Sequence, residues 1–305
     1  MFHTLRKRLA TAWFDLGVRG IERTPPLRCA PGASPVVVSQ LCHRDVSMYL
    51  VALKSFARFV PPRKIFILDD GSLSAGDRER LTRHVQSVTI VPVSTISNDN
   101  CPHGKTWERL LFIADLASLE YVVQLDSDTL TLAEPHEMVR CLKDNVSFTI
   151  LGDDGEMMVS AAEISARMRP RVTGPEAHVQ MLAEARMDAV TGIPGLRYVR
   201  GCSAFAGFAR GSMERDTVER FSKALETAVG TAKWNEWGSE QVTSSLVVAN
   251  TPGASILPFR DYCYHRPELE MESRTFVHFM GTYRFRHGRY RRLARRVVRE
   301  LLPGA

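Results

Sequence analysis

The 305-residue sequence lacks several features that mark large classes of protein. Its six cysteines stand singly, without a Cys-x-x-Cys pair, which argues against a zinc site and a disulfide framework and favours the reduced thiols of a cytoplasmic protein. No apolar run reaches the roughly 18 residues of a membrane-spanning helix. Asp15 interrupts the first apolar stretch before it attains the length of a signal-peptide core. With 44% hydrophobic and 24% charged residues, the chain is expected to fold as a globular protein.

Positive charge is concentrated at the two ends of the chain. Residues 284–305 contain eight arginines and one acid, and residues 1–29 contain six basic residues and two acids. Because the whole chain carries +6, the body between them carries −5. This distribution argues against a nucleic-acid partner, whose binding needs basic residues on the folded surface. We predict a basic amphipathic N-terminal extension with its linker (1–29), a globular domain (30–283) and an arginine-rich C-terminal tail (284–305).

Both basic ends show apolar residues at helical spacing. At the N-terminus these are Phe2, Leu5, Leu9, Trp13 and Leu16, and at the C-terminus they are Tyr290, Leu293, Val297 and Leu301. Basic amphipathic helices with aromatic anchors suit an anionic membrane surface, which predicts peripheral attachment at the inner face of a membrane. The alternative is that two solvated terminal helices pack on the body.

Short apolar segments alternate with helical patterns through the first half of the chain. Strands are predicted at 36–42, 64–68, 88–93 and 121–125, and helices at 46–59, 77–84 and 106–119. This alternation predicts a single α/β domain with a mostly parallel, doubly wound sheet. Ligands bind such sheets beyond the carboxyl ends of the strands. Two acidic clusters, Asp69-Asp70 and Asp126-Ser127-Asp128, fall at predicted strand ends.

The Asp126-Ser127-Asp128 cluster suits a hard divalent cation. Two carboxylates one residue apart offer the oxygen ligands that Mn²⁺ and Mg²⁺ prefer, and the metal could bridge a diphosphate. A plain pair of turn acids is the structural alternative. With Thr129 the same string also fits the D-x-D-x-T motif of phosphatases, in which Asp126 would be the nucleophile. That chemistry needs a later acidic pair, and Asp153-Asp154 follows too soon to leave room for the intervening elements.

The residues before this cluster resemble a known family. Thr106-Trp107-Glu108-Arg109-Leu110, then an apolar strand and Asp126–Leu130, resemble glycosyltransferase family 8, which has the GT-A fold and includes glycogenin and bacterial lipopolysaccharide galactosyltransferases. The resemblance implies that Asp126 and Asp128 bind Mn²⁺ and the diphosphate of a sugar nucleotide. It also implies that Arg109 contacts the nucleotide-sugar.

A C-terminal segment extends the resemblance. His278 and Gly281 match the family's His-x-x-Gly, whose histidine is the third metal ligand, although a lone histidine in an apolar strand can also be an ordinary core residue. The family continues with Lys-Pro-Trp, where the lysine holds a phosphate. This chain has Arg284 there, and a guanidinium can replace the lysine electrostatically.

Two further pairs resemble sites around the donor. Glu240 and Gln241 match the first two positions of the family's Asp-Gln-Asp beside the donor sugar, with Val242 in place of the third. Glu240 could stabilise the oxocarbenium ion or act as a base, or it could be a helix N-terminal acid after a Ser239 cap. Asp69 and Asp70 resemble the uridine-contacting acids of GT-A enzymes, and Asp-Gly is also a common turn.

Together these features predict a hexosyltransferase. We expect it to transfer a sugar from a UDP-linked nucleotide-sugar to a glycan or lipid-linked acceptor. Retention of anomeric configuration is the family's expectation, whereas Glu240 acting as a base would give inversion. Two other classes of protein would differ from this chain in sequence or in activity. A sugar-1-phosphate nucleotidyltransferase would carry a glycine-rich loop after the first strand, and residues 39–45 contain no glycine. A non-catalytic module would bind the nucleotide-sugar without cleaving it.

Overall fold

The computed structural model describes residues 2–190, 193–281 and 283–304, with side chains from Arg8 onward. The predicted amphipathic positions Phe2 and Leu5 therefore lie outside the described side chains. The helices are α1 (Phe2–Val18), α2 (Val46–Ala57), α3 (Ala75–His84), α4 (Trp107–Ala117), α5 (His136–Lys143), α6 (Ala161–Met168), α7 (Val179–Ala185), α8 (Arg215–Val229), α9 (Thr231–Trp234), α10 (Ser239–Ala249) and α11 (Arg289–Glu300). None of these helices has both the length and the apolar character needed to cross a membrane.

The strands confirm the predicted alternation. They are β1 (Val36–Leu41), β2 (Lys64–Asp69), β3 (Thr89–Pro92), β4 (Val122–Leu125), β5 (Thr129–Thr131), β6 (Phe148–Leu151), β7 (Val159–Ser160), β8 (Arg197–Tyr198), β9 (Gly201–Phe208), β10 (Ser255–Ile256), β11 (Tyr262–Tyr264) and β12 (Phe276–His278). Each strand predicted in the first half is present to within two residues at either end. The apolar residues of β1 and β4 are buried, as the continuous apolar pattern of a buried strand requires.

The chain forms two compact units. Unit 1 comprises residues 1–94, 124–139 and 260–305, and unit 2 comprises residues 95–123 and 140–259. Each unit is thus assembled from separate stretches of the sequence, and both basic ends belong to unit 1. The boundaries at 29 and 283, drawn from charge alone, stay a prediction.

Unit 1 contains parallel strands and a smaller second sheet. β1 pairs in parallel with β2, and β2 pairs in parallel with β3, so their carboxyl ends meet at one edge. Ser39 on β1 donates a hydrogen bond to the carbonyl of Leu125 at the end of β4, at 2.6 Å. In the second sheet, β12 lies between β11, to which it is parallel, and β5, to which it is antiparallel. This register places the end of β12 beside the start of β5.

The terminal helices α1 and α11 pack on each other and on α2 in unit 1. Their apolar faces supply core residues, including Phe14 from α1 and Tyr290, Leu293 and Val297 from α11. The rings of Phe14 and Tyr290 lie 4.4 Å apart. The expectation that Tyr290, Leu293 and Val297 face a membrane is therefore wrong, because this apolar face of α11 is already buried in the core of unit 1.

Unit 2 is built around β6, which pairs in parallel with β10 and antiparallel with the long strand β9. Gly207 of β9 lies opposite Phe148 of β6, and an added Cβ atom there would be only 2.2 Å from the ring. Helix α10 packs on β9 and approaches α4, where the indole of Trp107 donates a hydrogen bond to Ser239 at 3.0 Å. The starts of α4 and α10 are thereby held together.

Candidate functional site

Three predicted metal ligands converge in unit 1. Asp126, Asp128 and His278 each offer a ligand atom, and these atoms lie within 4.8 Å of one another. Asp126 and Asp128 follow β4 directly. His278 reaches them because β12 pairs antiparallel with β5, with His278 opposite Thr129. The backbone N–H of Phe279 also donates to the carbonyl of Asp128 at 2.7 Å, which fixes this register next to the cluster.

Asp128 is a buried carboxylate with a nitrogen-bearing side chain close to each of its oxygens. Its Oδ1 atom lies 3.4 Å from Nε2 of His278, and its Oδ2 atom contacts the guanidinium of Arg284. Burial raises the pKa of Asp128, but the charges of His278 and Arg284 and the hydrogen bond from His278 outweigh it and hold the pKa well below its usual range. Asp128 is therefore ionised at neutral pH, as a metal ligand must be.

Arg284 and Tyr290 brace this cluster from the C-terminal end of the chain. Arg284 is largely buried, and its Nε–H donates to the carbonyl of Phe279 at 3.0 Å. The ring of Tyr290 stacks on that of Phe279 at 4.2 Å, and its hydroxyl lies 3.5 Å from the carbonyl of Ser127. Sequence reasoning missed this role of Tyr290, because helical spacing shows that a residue lies on an apolar face but not what that face contacts.

The donor set fits a divalent cation. Two carboxylates and one imidazole provide hard oxygen ligands and a nitrogen ligand from rigid strand ends, which suits a site that leaves further coordination positions for phosphate oxygens. The predicted set of Asp126, Asp128 and His278 is thus brought together by the fold.

Arg109 and Glu240 form a buried pair in unit 2. Both side chains are about 4% exposed, and Nη2 of Arg109 lies 3.6 Å from Oε1 of Glu240. The hydroxyl of Thr106 donates to Oε2 of Glu240 at 2.9 Å.

Helix α10 begins after Gly238, whose positive φ of 109° suits a residue without a side chain, so the N-cap is Gly238 and Ser239 is the first helical residue. The hydroxyl of Ser239 donates to the carbonyl of Glu236 at 3.1 Å. Glu240 is therefore not a helix N-terminal acid that follows a Ser239 cap, because the cap position is occupied by Gly238.

Gln241 belongs to a separate polar network in unit 2. Its Oε1 atom lies 3.4 Å from the backbone N and hydroxyl of Ser203, and its amide group lies 3.3 Å from Oε1 of Gln180. Gln180 in turn donates to Glu184, whose buried carboxylate also contacts Arg200. Gln180, Glu184 and Arg200 were not identified from the sequence, because the first two lie on α7 and the third immediately precedes β9.

Asp69 and Asp70 organise the turn after β2. Asp69 is buried, accepts hydrogen bonds from the backbone N–H groups of Gly71 and Leu73, and contacts the guanidinium of Arg78. Asp70 is exposed and accepts two hydrogen bonds from Ser72. These contacts are those of an Asx-type turn, which was the structural alternative in the sequence. Contact of either acid with a nucleotide stays a prediction.

Comparison with known proteins finds likeness in structure but not in sequence. No protein-family model matches the chain. No curated protein matches it either. Among solved structures, the bifunctional glycosyltransferase WbbM aligns with 82% of this chain at 14% identity and a TM-score of 0.52. The galactosyltransferase LgtC, in complex with donor and acceptor sugar analogues, aligns with 85% at 12% identity and 0.51. The glycosyltransferase GlyE of Streptococcus pneumoniae TIGR4 aligns with 88% at 12% identity and 0.53.

The lengths of these matches differ. The chain spans 95% of LgtC, 60% of the GlyE chain and about half (46%) of the WbbM chain. A match through 85% of this chain by one LgtC chain supports the single-domain prediction. At such low identities the likeness establishes the fold, and all three proteins are glycosyltransferases by name. The α/β, mostly parallel fold predicted from the sequence is thus confirmed as that of the GT-A glycosyltransferases.

Proposed function

We propose that this chain is a metal-dependent glycosyltransferase that moves a sugar from a UDP-linked nucleotide-sugar to a glycan or lipid-linked acceptor. The observation that carries the proposal is the convergence of Asp126, Asp128 and His278 at the end of β4 in a GT-A fold. The acids come from one turn and the histidine from a strand 150 residues away in sequence, so no local turn requirement explains the cluster. The phosphatase alternative gains nothing from the comparisons.

Four residues of unit 1, the three candidate metal ligands and Arg284, have defined parts in this proposal. A bound Mn²⁺ or Mg²⁺ supplies positive charge to the diphosphate of the leaving nucleotide. Asp126 and Asp128 would hold this ion through carboxylate oxygens, and His278 would hold it through an imidazole nitrogen. Arg284 lies against Asp128, so its guanidinium is placed to share the charge of a phosphate next to the metal.

The unit 2 residues are proposed to act on the donor sugar. The contacts of Glu240 with Thr106 and Arg109 fix the position of its carboxylate at the start of α10. We propose retention of configuration, as the resemblance implies, with Gln241 beside the sugar. Proton NMR of the first-formed product gives its anomeric configuration, and an inverted product would instead assign Glu240 as a base.

Metal binding and slow hydrolysis of UDP-sugars test the proposal. Calorimetry should show Mn²⁺-dependent UDP binding, and incubation with a panel of UDP-sugars should release UDP only when a divalent ion is present. Asp126→Asn should abolish both, and its half-exposed position makes loss of folding a small concern. The control is Asp154→Asn, an exposed acid whose loss should change neither readout.

Three results would contradict the proposal. Binding of UDP without any release from the whole panel would indicate a non-catalytic module. If Asp126→Asn still bound UDP with unchanged metal dependence, Asp126 would not be a ligand of the metal. Hydrolysis of a simple aryl phosphate with a trapped phospho-aspartate would favour the phosphatase.

A further inference from the structure

The side-chain amide of Gln241 has two ends with opposite hydrogen-bonding properties, an oxygen that accepts and a nitrogen that donates. Its Oε1 atom faces the backbone N and hydroxyl of Ser203 on β9, and its Nε2 atom faces Oε1 of Gln180 on α7. A half-turn of the amide would exchange donor and acceptor at nearly the same two positions. The orientation of Gln241 therefore depends on what its partners can donate or accept.

Gln180 has its own orientation fixed at its other end. Its Nε2 atom lies 3.2 Å from Oε1 of Glu184 and 3.3 Å from the hydroxyl oxygen of Tyr198. The hydroxyl of Tyr198 donates its proton to the same Oε1 of Glu184 at 2.9 Å, so its oxygen accepts from Gln180. Both neighbours require a donor, which only the amide nitrogen of Gln180 supplies. The Oε1 atom of Gln180 is thereby turned to Gln241 as an acceptor.

Glu184 gives this chain of hydrogen bonds its direction, because an ionised carboxylate accepts and does not donate. Its side chain is fully buried, at 0% exposure. Arg200 donates through Nε to Oε1 of Glu184 at 2.9 Å and contacts Oε2 through Nη2. This two-point contact pairs the buried carboxylate with a cation, which is the usual condition for a charge inside a protein.

We propose that Gln180 is a positioning residue that holds the amide of Gln241 in one orientation beside the donor sugar, an inference that rests on the proposed function. Ser203 donates to Gln241, Gln241 donates to Gln180, and Gln180 donates to Glu184. Every hydrogen bond along this chain is thus donated towards Glu184. A sugar beside Gln241 meets an amide of fixed polarity, and no reorientation is needed during the reaction.

Packing alone does not account for Gln180. Glu184 already accepts from Tyr198 and Arg200 in the core of unit 2, so its burial does not need a further donor. Gln180 and Gln241 are only half-buried, whereas Glu184 and Tyr198 are buried. What Gln180 adds is the connection from this buried carboxylate to a partly exposed amide.

Gln180→Leu tests the proposal, because leucine has a similar volume and helix propensity but no polar atoms. UDP release from UDP-glucose, UDP-galactose and UDP-N-acetylglucosamine with Mn²⁺ gives kcat and KM. On the best of these donors the variant should lower kcat about tenfold, as expected for the loss of one orienting hydrogen bond. Affinity for UDP alone, measured by calorimetry, should be unchanged because UDP carries no sugar. Gln86→Leu, at an exposed position in unit 1, is the control and should change neither quantity.

A double variant shows whether Gln180 acts through Gln241. In a Gln241→Leu background, Gln180→Leu should change kcat by less than about twofold, because no amide remains to be oriented. Losses of kcat that multiply in the double variant would show that Gln180 acts independently of Gln241 and would overturn the inference.

Exchanging Gln180 and Glu184 tests the direction of the chain. Glu184→Gln removes the obligate acceptor, and Gln180→Glu places two carboxylates side by side, so each alone should lower kcat. Together they put one obligate acceptor directly against the amide of Gln241, and kcat should recover to within about threefold of the wild type. A folded double variant without recovery would overturn the proposed direction.

Two further results separate this inference from the proposed function. Wild-type kcat in Gln180→Leu would overturn the positioning role and leave the glycosyltransferase standing. If the wild type released no UDP from any donor, both would be overturned, since there would be no reaction for Gln180 to serve. Urea unfolding of each variant sets a temperature at which all of them are compared in the folded state.

Discussion

The guanidinium of Arg284 contacts Oδ2 of Asp128, a residue 156 positions earlier in the chain. His278 lies at the other oxygen of the same carboxylate. The proposed metal ligand is therefore already neutralised by a cation from the C-terminal segment. A divalent ion that binds Asp128 has to compete with this guanidinium, and a displaced Arg284 would lie next to the phosphates that accompany the ion.

Arg284→Gln should have opposite effects on two ligands. Mn²⁺ alone should bind several-fold more tightly, because its competitor at Asp128 is gone, whereas UDP in the presence of Mn²⁺ should bind more weakly, because a phosphate loses a charged donor. Without ligands, the variant should lose about 3 kcal/mol of unfolding free energy, as expected when one partner of a buried pair is removed. Calorimetry and urea unfolding measure these three quantities.

Arg292→Gln is the matched control for Arg284→Gln, since its pair with Glu272 is largely exposed and should contribute less than about 1 kcal/mol. Unchanged Mn²⁺ affinity in Arg284→Gln would show that the guanidinium does not compete with the ion. An unchanged UDP affinity would show that Arg284 does not contribute to binding the phosphates.

Arg109 and Glu240 should be energetically coupled. Both are buried and 3.6 Å apart, so Arg109→Met and Glu240→Gln should each destabilise unit 2, and the double variant should be less destabilised than the sum of the two. We expect a coupling free energy of about 1–3 kcal/mol from urea unfolding. The exposed pair Asp216 and Arg220 is the control and should give less than about 0.5 kcal/mol. A coupling free energy as small as that of the control would mean that the contact between Arg109 and Glu240 contributes little to stability.

His265 should make stability depend on pH in the acidic range. Its ring is fully buried, and burial, with smaller effects from the charges of Arg289 and His287, lowers its pKa to about 4. Between pH 6.5 and 4 the unfolded chain binds a proton there that the folded chain does not. The contribution of neutral His265 to the unfolding free energy is therefore fully present above pH 6.5. It declines as the pH falls from 6.5 to the folded-state pKa of about 4, by about 3 kcal/mol in total.

The difference in unfolding free energy between wild type and His265→Phe isolates that effect. It should decline steadily from pH 6.5 to pH 4, while the corresponding difference for His103→Phe, whose side chain is 79% exposed, should stay flat over the same range. Parallel curves for wild type and His265→Phe would mean that another group governs the acid sensitivity.

Gly207→Ala should destabilise unit 2 by about 1–3 kcal/mol, because its Cβ atom would lie 2.2 Å from Cε1 of Phe148 and one of the two strands must shift. Gly174→Ala is the control, since an added Cβ there meets nothing within 4 Å. Phe148→Leu should recover part of the loss when it is combined with Gly207→Ala, and chemical denaturation of the four variants tests this. Additive losses in the double variant would place the strain elsewhere.

Much of the first half of the fold could be predicted because its signals are local. Apolar runs of β1 and β4 are bounded by turn residues, and the helix breaker Pro61 follows α2 closely. The second half gave weaker signals. The strand β9 consists of small residues apart from Phe205 and Phe208. Its place in the sheet depends on Gly207 fitting against Phe148, a contact that no local pattern encodes.

The candidate site also has a part that local sequence pattern predicts and a part that it does not. The position of Asp126 and Asp128 after a buried strand follows from local pattern, while Asp69 and Asp70 show the same pattern but make turn hydrogen bonds. Two carboxylates at a strand end look alike in sequence whether they face a ligand or a backbone N–H group. The two cases are distinguished by a third ligand from elsewhere in the chain, here His278 beside Asp126 and Asp128.

By itself the sequence determined the charge distribution, the alternation of strands and helices, and the placement of two carboxylates at the end of β4. The tertiary structure decided that β12 brings His278 to Asp128, that Arg284 contacts the same carboxylate, and that α11 turns its apolar face to the core and its arginines outward. The reason is physical. Periodicity fixes which residues share a face, but strand register and the packing of distant segments fix what that face meets.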